Sequence, residues 1–312
     1  MLNRIRLRLS PSRFIDYYQR KKNGFIDPLN PYNYFLEAIS KVPHDISNLN
    51  HYYVLQHHLW GIGNFIMCTP TLKMLCDHFK QPVSVYFELP YIAEMFLDCP
   101  FIDIINRKQA KRKDVLFSSA MVNEEIEDWK YIHQFICEHF EIQVETISHT
   151  YVDLCNKPKR LMNQYCVIAR GMINNKWVYR KDPGDAIYRY IIELISQDRQ
   201  IVFIGTQSDY NRYINKMAGW AKNSIVIIND MRSSLGAIAY CDFMVSNDTG
   251  MYHAAGALNK DVFVMWKHTP FIKNRSPGNY CKFSFIRHWK SDFDEWYRDR
   301  RLKTNEMSGN GI

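Results

Sequence analysis

The chain has 312 residues, of which 46% are apolar and 14% aromatic, and its formal net charge is +8. That length and apolar content support two domains of ordinary size with substantial cores. No apolar run reaches the ~18 residues of a membrane span, the basic start lacks the apolar core of a secretory signal, and the 8 scattered cysteines form no C-x-x-C, which argues against a zinc ribbon or thioredoxin-type site and fits reduced thiols in a cytoplasmic protein.

Residues 1–50 read as an extension ahead of the first domain. Within residues 1–23, Arg4, Arg6, Arg8, Arg13, Arg20, Lys21 and Lys22 are set against a lone acid, Asp16. Ile5, Leu7 and Leu9 alternate with arginine, which predicts a short amphipathic strand. Arg13 to Lys22 reads as a helix and Tyr34 to Ser40 as a shorter one. An α/β pattern then begins. Tyr52 to Gln56 predicts a strand, which runs through His57-His58-Leu59-Trp60-Gly61-Ile62-Gly63-Asn64 into a helix ending near Phe79. The glycine pair permits close backbone approach at the strand end, or serves only as a turn. Val83 to Phe87, Ile102 to Asn106 and Asp114 to Ser118 predict further strands, with a helix over Tyr91 to Asp98. From Glu124 to Phe140, apolar residues recur at helical spacing: Ile126, Trp129, Ile132, Ile136 and Phe140. Alternating strands and helices argue for a parallel sheet covered on both faces. Arg107, Lys108, Lys111, Arg112 and Lys113 form a second basic cluster. Such clusters suit a phosphorylated acceptor, an anionic membrane surface or nucleic acid; a solvated surface is the alternative.

Asn156-Lys157-Pro158-Lys159 reads as a linker to a second α/β unit. Tyr165 to Ala169 is a strand leading into Gly171-Met172-Ile173-Asn174-Asn175-Lys176-Trp177, and Ile187 to Ile195 is a helix. Ile201 to Ile204 is a strand closed by Gly205-Thr206-Gln207-Ser208-Asp209; Ile225 to Ile228 is another, with a helix from Ser233. Phe243 to Ser246 is a buried strand, Met251 to Leu258 a helix, and Asp261 to Trp266 the next strand. Between the first two of these stand Asn247, Asp248 and Thr249, all N-cap types, and Gly250, which lets the backbone turn tightly. A polar D-T-G loop is thus expected at the carboxyl end of a parallel strand, where open sheets bind ligands and the next helix offers free N–H groups and a positive dipole end. It suits an anion such as a nucleotide diphosphate, although a capped helix without a ligand has the same composition. Phe283 to Arg301, with Phe285, Trp289, Phe293 and Trp296, predicts a long amphipathic helix, and its Asp292-Phe293-Asp294 reads as a solvated face.

The run S-N-D-T-G-M-Y-H-A-A-G-A-L resembles the donor-site motif of glycosyltransferase family nine, which includes the heptosyltransferases of lipopolysaccharide core synthesis. Gly63, Thr69-Pro70 and Leu72 match the family's first strand–loop–helix, and Gly171 to Trp177 matches its glycine loop. The resemblance implies an α/β chain of two Rossmann-like domains facing a cleft, the GT-B architecture. An acceptor-side domain would span 51–156 and a sugar-nucleotide domain 161–282. A basic extension, 1–50, would precede them, and a C-terminal helix and tail, 283–312, would return to the first domain. It implies donor contacts from Asp248, Thr249, Gly250 and His253, with Lys176 on the donor phosphates and Asp209 near the nucleoside. Without the resemblance, Lys176 reads as a surface lysine and Asp209 as a helix cap. Acceptor contacts would come from Gly63, Lys111, Arg112 and Lys113.

The sequence departs from the family at Asn64, where heptosyltransferases carry an Asp regarded as the catalytic base. An amide takes no proton at neutral pH. Asn64 can still orient a hydroxyl or a water, and His57, His58 and Glu88 are the nearest alternatives as base. Lys267 also replaces a usual glycine. The function so implied is inverting, metal-independent transfer of a sugar from a nucleotide sugar, such as an ADP-sugar, with no other cofactor. The acceptor would be anionic, a lipopolysaccharide or other surface glycan, met by a cytoplasmic protein at the inner membrane face. Transfer to nucleic acid, favoured by the basic clusters and aromatics, and non-catalytic sugar-nucleotide binding, favoured by Asn64, are the alternatives. A dinucleotide oxidoreductase is disfavoured, because G-I-G-N-F-I lacks the third glycine.

Overall fold

The computed structural model describes residues 39–40, 42–44, 46, 49–57, 61–119, 129–143, 147, 149–153, 161–171, 181–268, 277 and 280–309, with only the backbone of 129–132 and 302–309. The expected linker at Asn156 to Lys159 lies outside these residues, as do the expected elements before Ile39.

The first half builds a four-stranded parallel sheet from β1 (Tyr52–Gln56), β2 (Val83–Phe87), β3 (Ile102–Ile105) and β4 (Asp114–Ser118), in the order β3-β2-β1-β4. Its first crossover is α1 (Ile62–Phe79). Every residue of α1 from Ile62 to Leu72 is buried, and a helix apolar on all sides belongs between layers rather than at a surface. Pro70 sits inside it, and Pro lacks the N–H that would reach the carbonyl of Ile66. The Thr69 hydroxyl donates to that carbonyl instead, at 2.7 Å, and accepts from the Tyr151 N–H at 2.9 Å. The chain continues through the short helices α2 (Pro90–Ala93) and α3 (Arg107–Ala110) to α4 (Trp129–His139).

The second half builds a six-stranded parallel sheet in the order β10-β9-β8-β5-β6-β7. Its strands are β5 (Tyr165–Ala169), β6 (Gln200–Gly205), β7 (Ser224–Ile228), β8 (Phe243–Asn247), β9 (Val262–Trp266) and β10 (Cys281–Phe285). The central strands β5, β8 and β9 are buried at every position, as a sheet covered on both faces requires. The helices are α5 (Asp185–Ile195), α6 (the consecutive pieces Gln207–Asp209, a π turn Tyr210–Ile214, and Asn215–Ala218), α7 (Met231–Tyr240), α8 (Gly250–Ala257) and α9 (Trp289–Gly309).

One expectation changes. Cys281–Phe285 is an edge strand, so the helix expected from Phe283 begins only at Trp289. Phe293, Trp296 and Tyr297 of α9 pack on Phe243 and Phe263 of the second sheet. From the described part of residues 1–50, Ile39, Val42, Ile46 and Leu49 enter the first core. That core also takes in Leu235 of α7 and Ala254 and Ala257 of α8, so the helices between the two sheets share one apolar interior.

Candidate functional site

The D-T-G loop lies where the sequence places it, at the carboxyl end of β8. Thr249 is the N-cap of α8, but its side chain makes no capping hydrogen bond; its Oγ1 stands 3.2 Å from Ser246 Oγ. The first N–H groups of α8 are therefore not satisfied by their own cap residue and carry the positive end of the helix dipole. Asp248 is 3% exposed, and its Oδ2 pairs with Lys181 Nζ at 2.9 Å. Lys181 arrives from the segment after β5. The Asn247 side-chain amide donates to the carbonyl oxygens of Lys181, at 3.3 Å, and Gly171, at 3.5 Å, and so ties both ends of that segment.

A buried arginine closes the same segment. Arg170 Nε and Nη2 donate to the two carboxylate oxygens of Asp182 at 2.9 and 3.0 Å, and Nη1 donates to Asp185 at 2.7 Å. Its guanidinium lies over the rings of Tyr213, at 4.2 Å, and Tyr188, at 4.7 Å. Two-pronged Arg–carboxylate pairs are the stronger and more directional kind. Lys267 Nζ donates to the Asp182 carbonyl at 3.1 Å. Lys216 and Arg170 both hold the Asp185 carboxyl below its usual range.

Opposite α8 stands the start of α1. A Cβ on Gly63 would meet His253 Cδ2 at 2.5 Å, and a Cβ on Gly250 would meet Ile62 Cβ at 2.6 Å. Glycine at both positions is what lets the two helix starts touch. His253 is buried, and its Nδ1 has no hydrogen-bond partner among the described residues. Burial, aided by the charge of Lys181, pushes its pKa down to about 3, so the ring is neutral. Asn64 is also buried, in the first turn of α1.

The other candidates divide. Glu88 is half-buried just past β2, and its N–H donates to the Gln56 carbonyl at 3.1 Å. His57 is buried, with its N–H on Ser119 Oγ at 3.1 Å. Both stand at the carboxyl edge of the first sheet, as expected. Asp209 closes a capping box: its Oδ2 accepts from the N–H of Thr206 at 3.0 Å and from its hydroxyl at 2.7 Å. The same carboxylate lies against Gly171, where a Cβ would stand 3.2 Å from Oδ2. Lys113 Nζ donates to Ser84 Oγ at 2.8 Å, near the amino end of β2 and away from the β1–α1 loop, while Lys111 and Arg112 are exposed. His58 and Lys176 lie outside the described residues.

Lys181, Arg170 and Asp182 escaped the sequence reading. The run Lys181-Asp182-Pro183-Gly184 ahead of α5 was the available signal for a turn holding a charge pair. Among the described residues no group of three or more His, Cys, Asp or Glu side chains could hold a metal ion, and no helix is long and apolar enough to cross a membrane.

No protein-family model matches the sequence, and no curated protein does. Solved structures do. A family 9 glycosyl transferase from Veillonella parvula superposes with a TM-score of 0.59 at 11% identity, over 76% of this chain and 87% of that one. The E. coli heptosyltransferase WaaC, solved with ADP, gives 0.62 at 10% identity, over 80% and 99%. The E. coli ADP-heptose LPS heptosyltransferase II gives 0.57 at 14% identity, over 81% and 99%. The chain therefore has the fold of these glycosyltransferases.

Proposed function

We propose that this chain is a glycosyltransferase of the heptosyltransferase kind, which moves a sugar from a nucleotide sugar to an anionic acceptor. In this reading the two sheets belong to GT-B domains, 51–156 on the acceptor side and 161–282 on the donor side, facing a cleft. The observation that carries the reading is the Lys181–Asp248 pair beside the start of α8. A lysine and a row of helix N–H groups at one point suit a diphosphate, which leaves with added negative charge as the glycosidic bond breaks. Lys181 takes the role that the sequence reading gave Lys176. Asp248, Thr249, Gly250 and His253 complete the donor side. A neutral His253 can accept or donate one hydrogen bond without adding charge.

Transfer is proposed to be inverting and metal-independent, the lysine and helix dipole neutralising the leaving diphosphate. The donor is proposed to be an ADP-sugar, from the fold shared with WaaC, whose structure holds ADP. The acceptor is proposed to be a phosphorylated surface glycan, reached at the inner membrane face. On the acceptor side Asn64 orients the attacking hydroxyl and Glu88, at the same sheet edge, is the candidate base. A thermal-shift screen with ADP-, UDP-, GDP- and CMP-sugars, followed by a hydrolysis assay on the hit, tests this. A shift and turnover with one nucleotide class are expected; no shift with any of the sugars would overturn the reading.

A further inference from the structure

We infer that Arg170 is a positioning residue that sets Lys181 against the D-T-G loop; the inference rests on the donor-site reading above. Arg170 directly follows β5, and Asp182 directly follows Lys181. The Arg170–Asp182 fork thus ties the end of β5 to the start of the turn before α5, and the residue beside its far foot is the one paired with Asp248. The guanidinium is fixed from every side. It is 2% exposed, bonded to Asp182 and Asp185, and enclosed by Tyr188 and Tyr213. Asn247 adds a second tie, with its amide on the carbonyls of Gly171 and Lys181 and its own Oδ1 accepting from the Tyr188 hydroxyl at 3.3 Å.

A lysine ammonium is a point charge on a flexible stem. It acts on an anion only where its backbone is held, and here the holding is by a planar fork that another cation cannot reproduce. Arg170 reaches the site through Lys181 and touches no ligand itself.

The test is a double-variant cycle on the full chain, read by calorimetric titration with inorganic pyrophosphate and with ADP, GDP, UDP and CDP. Lys181→Met is expected to weaken binding of the diphosphate by about tenfold to a hundredfold, the range for a lost charged hydrogen bond. Arg170→Lys keeps the net charge and is expected to weaken binding by about tenfold or more. The double variant is expected to bind as Lys181→Met alone does, because both act through one group. The salt dependence of binding is expected to flatten in Arg170→Lys as it does in Lys181→Met, although only the latter removes a charge. If Arg170→Lys fails to fold, Asp182→Asn carries the same cycle. Additive losses, or an unchanged salt dependence in Arg170→Lys, would overturn the inference while binding by the unchanged chain upholds the donor site. No binding of any of these diphosphates by the unchanged chain would overturn both.

Discussion

Gly63 and His253 meet so closely that a single methyl group does not fit between them: a Cβ on Gly63 would lie 2.5 Å from His253 Cδ2. The imidazole cannot swing away cheaply. It is buried and lies against the Tyr252 ring, with centroids 3.9 Å apart. Through this contact the start of α1, from the first sheet, sets where α8 and its D-T-G loop stand.

Gly63→Ala is therefore expected to destabilise the chain by about 1–3 kcal/mol, the usual range for overpacking a filled interior. Gly61→Ala is the control, since nothing lies within 4 Å of a Cβ there. Thermal unfolding of both variants checks the point. Equal melting temperatures in the two would show that the helix contact is looser than described.

Lys181→Ala and Asp248→Asn are expected to differ in sign for ligand binding. Lys181→Ala removes the cation and weakens diphosphate binding, by roughly 1.5–3 kcal/mol for a charged hydrogen bond. Asp248→Asn removes the anion that competes for Lys181 Nζ and keeps the shape of the loop, so product diphosphate binds more tightly. Both break the Lys181–Asp248 pair at a buried position and lower the melting temperature. Titration with the nucleoside diphosphate that binds the unchanged chain separates these effects. Weaker binding in Asp248→Asn would place the carboxylate on the ligand instead of against it.

Much of this site is legible in the sequence. The strand, loop and helix from Phe243 to Ala257 are expected from a buried apolar run, a cluster of cap residues and an alanine-rich stretch, each of them a local signal. Lys181 is not, because what marks it is contact with Asp248, far along the chain. A lone arginine after a strand likewise gives no hint that it will bind the carboxylates of Asp182 and Asp185. β10 was missed for a different reason. Its period-two alternation, Cys281, Phe283 and Phe285 against Lys282 and Ser284, is short, and Phe285 also continues the spacing of Trp289 and Phe293 back from α9. One aromatic residue served two periodicities, and the longer one won. Thr249 shows the limit of cap statistics: it takes the N-cap position while leaving the cap hydrogen bond unmade.

Acid is expected to destabilise the chain through its buried histidines. Burial lowers the pKa of His253 from 6.5 to about 3, and that of His133, which bonds the Thr71 hydroxyl at 2.9 Å, from 6.5 to about 4. Between pH 6.5 and these values the unfolded chain binds protons that the folded one refuses, so stability falls as pH falls. The contribution is fully present above pH 6.5 and is lost below it at up to ~1.4 kcal/mol per pH unit for each group. Melting temperatures from pH 8 to pH 4 for the unchanged chain and for His253→Gln check the assignment. The variant's stability deficit is expected to shrink below pH 6.5. A deficit that does not change with pH would mean that His253 takes up its proton as readily in the folded state as in the unfolded one.

The basic cluster divides into residues available to a ligand and one already used. Lys113 Nζ donates to Ser84 Oγ at 2.8 Å, toward the amino end of β2, whereas Lys111 and Arg112 are exposed after α3. If the acceptor is anionic and sits on the first sheet, Lys111→Gln with Arg112→Gln is expected to raise its apparent KM a few-fold, since exposed charge pairs contribute about 0.2–1 kcal/mol each. Lys113→Gln is expected to add nothing to KM and to lower stability slightly, through the Ser84 contact. Donor affinity stays unchanged in both variants. The KM effect weakens with salt, because exposed charges are screened over about 8 Å at physiological ionic strength. Titration with single-stranded and duplex DNA distinguishes the acceptor chemistries: binding whose logarithm falls steeply with the logarithm of salt would mark nucleic acid, and no binding at low salt leaves the phosphorylated glycan. Acceptor kinetics indifferent both to salt and to the loss of Lys111 and Arg112 would show the cluster to be a solvated face and move the acceptor site to the β1–α1 loop alone.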